Sequence, residues 1–193
     1  MRGANDDFPS PFGHAPRTLS RRALLEAGAV GLVLGGAAVA TLRARGYTVP
    51  ATRTLAALAA WQFVVVQHAA RRIVAPDRQD ADIARADDLD VAGFVDGWVS
   101  RLPPRTHRDL GRFLAYVEHV APLRVRFASR FTRLVASDQD EVLRSLESSS
   151  SDLLRAGFDG LRSLVFLGYY RDARTWKGIG YDGPLIGRPR GGW

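Results

Sequence analysis

Apolar residues recur at helical spacing from Thr52 onward, and this periodicity limits the possible folds more than any other feature of the sequence. In the first such run the apolar positions follow one another at steps of three and four, as on one face of an α-helix. Large apolar residues also fill its other sides, which predicts a helix that is buried centrally or covered by another chain. The stripe consists of Leu55, Leu58, Trp61, Val65, Ala69 and Ile73, and the other sides hold Phe63, Val64 and Val66.

Similar patterns continue as far as Tyr170 and predict an all-α protein. No segment alternates apolar and polar residues for long enough to predict a strand. Thr106 and Ser137 stand where a hydroxyl would cap the start of a helix, and Asp152 is predicted to begin the last one. We therefore expect a compact bundle of about five to six helices. The predicted helices lie near residues 52–75, 91–102, 106–121, 123–134, 137–147 and 152–170.

The bundle is expected to follow a leader and export signal in residues 1–40, so that the helical domain covers residues 41–193. Arg21 and Arg22 precede a glycine- and alanine-rich apolar run that ends near Leu42. This arrangement resembles a twin-arginine (Tat) export signal, which a receptor reads through the arginine pair.

The sequence allows two interpretations of that apolar run: it is removed with the signal or kept as a membrane anchor. Ala38 and Ala40 are small residues at the positions expected for a cleavage site, which predicts removal of the signal. The other possibility is a retained membrane anchor, for which about 20 apolar residues are the usual length.

Composition argues against several functional classes. The chain has no cysteine, which excludes disulfides, cysteine-bound metals and a thiol nucleophile. Its formal net charge is +7, but Lys177 is the only lysine and the arginines are scattered among acids. We interpret this pattern as a solvated surface with ion pairs, and nucleic acid is not an expected partner.

No motif for catalysis, a cofactor or a metal is found in the sequence. The histidines, His14, His68, His107 and His119, do not form a metal-binding pair at helical spacing. The six aspartates between Asp77 and Asp90 lack the spacing of a calcium loop and are read as a solvated linker that caps the next helix. The chain is therefore not expected to be an enzyme.

The C-terminal loop, predicted for residues 169–193, is rich in aromatic residues, arginine and glycine. Large rings and arginine are enriched where binding energy concentrates in protein–protein interfaces. One interpretation is a partner-binding surface. The other is a strap whose rings pack back onto their own core.

Residues 168–184 read GYYRDARTWKGIGYDGP. They closely resemble the C-terminal signature of the gluconate 2-dehydrogenase small (gamma) subunit family, in which the pattern is roughly GYY-x-D-x-RTW-x-x-IGY-x-GP. The resemblance implies a non-catalytic subunit that accompanies an FAD-dependent sugar or sugar-acid dehydrogenase of the glucose-methanol-choline (GMC) type. FAD is then expected in the large subunit and no cofactor in this chain, while a cytochrome c subunit often completes such systems.

With the export signal, the resemblance implies that the chain carries the dehydrogenase through the Tat translocase and assists its maturation. The complex is expected in the periplasm or on the outer face of the cytoplasmic membrane. The alternative is a free-standing exported or membrane-anchored helical envelope protein. The predicted partner-binding residues are Tyr169, Tyr170, Arg171, Asp172, Arg174, Trp176, Gly180, Tyr181, Gly183 and Pro184.

Overall fold

The computed structural model describes residues 46–74 and 83–183 of the chain. Within these ranges every regular element is a helix, which confirms the predicted all-α fold. The export-signal residues Arg21, Arg22, Ala38 and Ala40, and Pro184 at the other end, lie outside the described residues. The α-helices are α1 (Ala60–Ile73), α2 (Val91–Val99), α3 (Pro104–His119), α4 (Ala121–Arg124), α5 (Ala136–Glu147) and α6 (Asp152–Tyr170). Short 3-10 helices occupy Phe131–Arg133, Ala173–Thr175 and Lys177–Ile179.

Helix α1 lies at the centre of the bundle. It packs against α2, α3, α5 and α6, and Val65, Val66 and Ala69 are fully buried. Of the two explanations offered for its apolar sides, the structure shows the first, because the other helices of the same chain cover it. Burial of this kind contributes about 1.5–3 kcal/mol for each large aliphatic side chain.

Helix α1 begins at Ala60, so the prediction of helix from Thr52 was wrong. The carboxylate of Asp96 in α2 accepts hydrogen bonds from the backbone N–H groups of Ala56, Ala57 and Leu58 at 2.7, 3.0 and 2.7 Å. A buried carboxylate with three donors is well satisfied. The Asp96 carboxylate holds residues 56–58 in a loop, and this loop leads into the start of α1.

The helix predicted over 123–134 was also wrong. Helix α4 ends at Arg124, and Arg126 takes a left-handed conformation with φ 69°. The fully buried carboxylate of Glu118 then accepts hydrogen bonds from Thr132 N at 3.1 Å and Thr132 Oγ1 at 2.7 Å. Because Glu118 binds this N–H, the backbone donor is not available to a helical hydrogen bond.

The two predicted hydroxyl caps are absent. Helix α3 begins at Pro104, since proline at the first position of a helix lacks only a donor that the helix would leave unpaired. Helix α5 begins at Ala136, and Ser137 Oγ donates to Asp138 Oδ1 at 3.2 Å instead. Asp152 does begin α6, as predicted.

Candidate partner-binding surface

The C-terminal segment, defined here as residues 169–183, leaves the end of α6 as two 3-10 turns. Asp172 shapes the first turn: its carboxylate accepts the Arg174 N–H at 3.0 Å, and its carbonyl accepts the Thr175 hydroxyl at 2.8 Å. Gly180, with φ 64°, ends the second turn in a left-handed conformation that favours glycine. The segment is therefore an ordered series of turns with its own hydrogen bonds.

Tyr169 and Arg171 fasten this segment to the part of the chain before and within α2. The buried Tyr169 donates its hydroxyl to the Ala84 carbonyl at 2.8 Å, and burial raises the pKa of this phenol. Arg171 Nη2 donates to the Leu89 carbonyl at 3.1 Å, while its guanidinium lies 4.9 Å from the centre of the Phe94 ring. A hydrogen bond and a cation–π contact thus act on the same arginine.

Gly168 lets α6 approach α2 at this point. A Cβ at position 168 would lie 2.8 Å from Cδ1 of Phe94 and 3.2 Å from Cγ1 of Val91. The first distance is shorter than van der Waals contact, so a larger residue would push the two helices apart. The close approach brings Phe94 within reach of Arg171.

Trp176 binds within its own segment. Its indole Nε1 donates to the Tyr170 carbonyl at 2.8 Å. Its ring meets the edge of Tyr181, with centroids 5.1 Å apart and planes at 68°. The backbone reinforces this contact, because Tyr181 N donates to the Trp176 carbonyl at 3.0 Å. These contacts lie within the segment itself, and the contribution of Trp176 to partner binding stays a prediction.

Asp172 and Arg174 form a two-point ion pair. Arg174 Nε and Nη2 donate to the two carboxylate oxygens of Asp172 at 3.0 and 2.9 Å. Hydrogen bonds from the Arg174 side chain and backbone lower the pKa of Asp172 to about 2, and the same pairing raises the pKa of Arg174. The pair holds the guanidinium in one orientation at the surface.

The segment leaves two apolar side chains in solvent. Ile179 is 55% exposed and Tyr181 is 44% exposed, on the turn that Trp176 supports from inside. Phe166, which the sequence analysis did not single out, is 37% exposed and its ring lies 5.7 Å from that of Tyr170. Its position four residues before Tyr170 is the spacing of neighbours on a helix face and was a usable signal. These residues are available to a partner.

No group of three or more His, Asp or Glu side chains among the described residues is arranged to hold a metal ion. Across residues 46–74 and 83–183, no helix has the length and apolar character required for a membrane span.

The fold and this surface define an all-helical protein with an ordered aromatic C-terminal segment fastened to its body. The sequence profile of the family described as Gluconate 2-dehydrogenase subunit 3 matches residues 60–183, from the first residue of α1 to the end of the C-terminal segment. Because the match covers more than half of the chain, the protein belongs to this family, which confirms the resemblance. No curated protein and no solved structure matches the chain.

Proposed function

We propose that this protein is the non-catalytic small (gamma) subunit of an FAD-dependent dehydrogenase complex of the GMC type that oxidises a sugar or sugar acid. The proposal rests on the family membership, because the name of the family denotes a subunit of a dehydrogenase. The catalytic chain, in this proposal, is a separate large subunit that holds the FAD.

The geometry of the C-terminal segment supports a role in partner binding. Tyr169, Arg171 and Trp176 use their polar groups inside the chain and hold the turns in place. Ile179 and Tyr181 are thereby presented in a fixed arrangement. A surface that is already ordered loses less conformational entropy on binding, so more of its contact energy appears as affinity.

The export signal gives the subunit its second proposed role. Arg21 and Arg22 precede the apolar run that resembles a Tat signal. The Tat translocase moves folded proteins, so a dehydrogenase that has already bound FAD and this subunit can cross in the same complex. The complex is then periplasmic or attached to the outer face of the cytoplasmic membrane, and the subunit also assists maturation of the flavoprotein.

Replacement of the arginine pair tests this export role. In the native host, Arg21→Lys with Arg22→Lys keeps the charge but removes the guanidinium groups that the receptor reads. We expect dehydrogenase activity and its large subunit to remain in the cytoplasm. Fractionation followed by an activity assay and mass spectrometry measures both. Arg43→Lys with Arg45→Lys, which lie after the apolar run, is the matched control and should leave export unchanged.

Two results would contradict the proposal at different points. If the dehydrogenase reaches the far side of the membrane normally without the arginine pair, the carrier role is wrong. If no flavoprotein co-purifies with the wild-type chain from the native host, the subunit assignment itself is wrong, and a free-standing envelope protein is the better interpretation.

A further inference from the structure

The described chain enters the bundle through a stretch that is neither helix nor strand. This entry segment, defined here as residues 47–58, precedes α1 and follows the predicted export signal in the sequence. The family match begins at residue 60, so the segment lies outside the part of the chain that the family profile covers. Three sets of side-chain contacts hold it against α2, α3 and Arg130.

Tyr47 makes the first of these contacts, at the beginning of the segment. Its hydroxyl donates to Oε1 of the fully buried Glu118 in α3 at 2.7 Å. Its ring faces the guanidinium of Arg130, which lies 4.3 Å from the ring centre. Arg130 Nε in turn lies 3.6 Å from Glu118 Oε1. The tyrosine therefore contacts both members of a buried ion pair.

Glu118 does not depend on Tyr47 alone. Thr132 donates two further hydrogen bonds to the same carboxylate, from its backbone N–H at 3.1 Å and from its hydroxyl at 2.7 Å. These donors and Arg130 belong to the bundle, so Glu118 keeps partners when Tyr47 moves away. Loss of the Tyr47 contact is thus expected to free the segment without leaving a buried charge unpaired.

Arg53 makes the second contact, and Gly93 leaves the space for it. Arg53 Nη2 lies 2.8 Å from Asp90 Oδ1, and its guanidinium lies 5.1 Å from the centre of the Phe63 ring. Asp90 precedes α2 but does not cap it through its side chain. A Cβ at position 93 would overlap both Asp90 Oδ2 and Arg53 Nη1, so any larger residue there displaces this ion pair.

Asp96 of α2 makes the third contact by accepting the N–H groups of residues 56–58. All three contacts join residues that are distant in the chain, up to 71 positions for Tyr47 and Glu118. Because the segment has no helix or strand of its own, these contacts form only once α2 and α3 are in place. Helix α1, in contrast, packs directly against α2 and α3.

We propose that the entry segment is a folding-dependent latch, which closes on the packed bundle, opens without unfolding it and must close for efficient export. The last part rests on the proposed export role. When the latch opens, it exposes Val49, Leu55 and Leu58, which pack in or against the core in the closed state. A translocase that moves folded proteins then meets unfolded apolar chain shortly after the export signal. Closure therefore indicates that the bundle has folded.

The first test measures opening in the full-length chain by amide hydrogen exchange at residues 53 and 56–58, whose N–H groups are bonded in the closed state. Tyr47→Phe keeps the ring against Arg130 but removes the hydroxyl. We expect these amides to exchange at least about tenfold faster, because a hydrogen bond to a buried carboxylate is lost. The amides of Val65 and Val66 in α1 should exchange at the wild-type rate.

Tyr116→Phe is the matched control for Tyr47→Phe. It removes a hydroxyl from α3 that accepts a hydrogen bond from Arg124 Nη1 at 3.4 Å instead of one that holds the entry segment. Exchange at residues 53 and 56–58 should be unchanged in this variant.

Gly93→Ala tests the second contact without changing either charged residue. Alanine is the better helix former, so α2 is strengthened while the new Cβ displaces the Arg53–Asp90 pair. We expect about three- to tenfold faster exchange at the same amides, because an ion pair and a cation–π contact are lost together. Gly97→Ala is the matched control: it lies in the same helix, and a Cβ there meets no heavy atom of the described residues within 4 Å.

The consequence for export is measured in the native host with Tyr47→Phe and Gly93→Ala combined, against Tyr116→Phe and Gly97→Ala combined. The exported fraction of the subunit and of dehydrogenase activity should fall severalfold in the latch variant only. Dehydrogenase recovered with the subunit from whole cells should be unchanged, since the bundle remains folded.

The outcomes separate the latch from the proposed function. If residues 53 and 56–58 exchange only together with Val65 and Val66, or if neither latch variant accelerates their exchange, the segment is not a separate latch and the inference is wrong. If opening accelerates but export stays normal, while Arg21→Lys with Arg22→Lys blocks it, the latch has no role in export and the carrier role stands. If the arginine change also leaves export normal, the carrier role is wrong and the export part of this inference is wrong with it.

Discussion

Trp176 packs within the C-terminal segment, whereas neighbouring side chains of the same segment are exposed to solvent. Its indole N–H is bound to the Tyr170 carbonyl at 2.8 Å, and its ring supports Tyr181. Gly183, with φ 100°, lies against the same ring, since a Cβ there would be 3.1 Å from Cζ3 of Trp176. The tryptophan therefore sets the position of Tyr181, which is 44% exposed.

Because Trp176 packs inside the segment and Tyr181 is exposed, we expect substitutions of these two rings to have different effects. Trp176→Ala should lower the free energy of unfolding by about 1–3 kcal/mol, since a half-buried ring loses packing and one hydrogen bond. Tyr181→Ala should change unfolding by less than about 1 kcal/mol but weaken dehydrogenase binding by about 1–2 kcal/mol. Urea denaturation of each variant alone, followed by titration with the dehydrogenase, measures both quantities.

A Trp176→Ala variant that unfolds like the wild type yet no longer binds would contradict this division. That result would place the indole in the interface, as the interpretation of Trp176 as a direct partner contact predicts. Ile179→Ser, at the other exposed apolar position of the segment, then tests whether the surface extends across the turn.

At the scale of helices, Asp96 joins α2 to the chain that enters α1. Its carboxylate accepts three backbone hydrogen bonds from residues 56–58, and the residue as a whole is 5% exposed. The contact supplies acceptors for N–H groups that have no partner in regular secondary structure. The direction in which α1 starts therefore depends on a residue of another helix.

Asp96→Asn should lower the free energy of unfolding by about 2–4 kcal/mol. The amide has nearly the same shape, but its NH₂ group replaces an acceptor and faces backbone donors, which leaves buried polar groups unsatisfied. Asp159→Asn, which removes one partner of an exposed ion pair with Arg162, is the control and should cost less than about 1 kcal/mol. Denaturant unfolding compares them, and amide hydrogen exchange at residues 56–58 should accelerate in Asp96→Asn alone. Equal losses in the two variants would show that the three hydrogen bonds contribute little.

At the scale of the whole molecule, a set of hydrogen-bonded polar groups connects α1 to α5. Gln139 Nε2 donates to the Phe131 carbonyl at 3.0 Å and lies 3.0 Å from His68 Nδ1, which accepts when the imidazole is neutral. Burial, with a further contribution from Arg71, lowers the pKa of His68 below its ordinary 6.5. The folded protein thus favours the neutral ring.

The stability of the whole domain should therefore fall as pH decreases from about 6.5 toward the lowered pKa of folded His68. In this window the unfolded chain binds the proton more readily than the folded one, so each proton taken up favours unfolding. His68→Gln removes the titrating group and should reduce the pH dependence of stability between pH 7.5 and about 5. Urea unfolding at several pH values, for the wild type and the variant, measures the slope. Identical slopes would exclude His68 as a source of the dependence.

The sequence by itself determined which residues form most of the helices, that α1 is buried, and which family the chain belongs to. These properties depend on residues close together in the chain: steps of three and four place Leu161 and Val165 of α6 in the core, and the aromatic and glycine positions of the C-terminal segment form a continuous signature. Local spacing is sufficient because a helix repeats every few residues.

Tertiary structure alone decided the features that depend on distant residues. Asp96 fixes the start of α1 from 38 to 40 positions away, and Glu118 accepts the Thr132 N–H that an α-helix over 123–134 would use. Whether Phe94 of α2 would meet Arg171 depended on the close approach of two separate helices at Gly168. Such contacts leave no periodic trace in the sequence, because a carboxylate or an indole has the same local pattern whether its partner lies in the same chain, in another chain or in water.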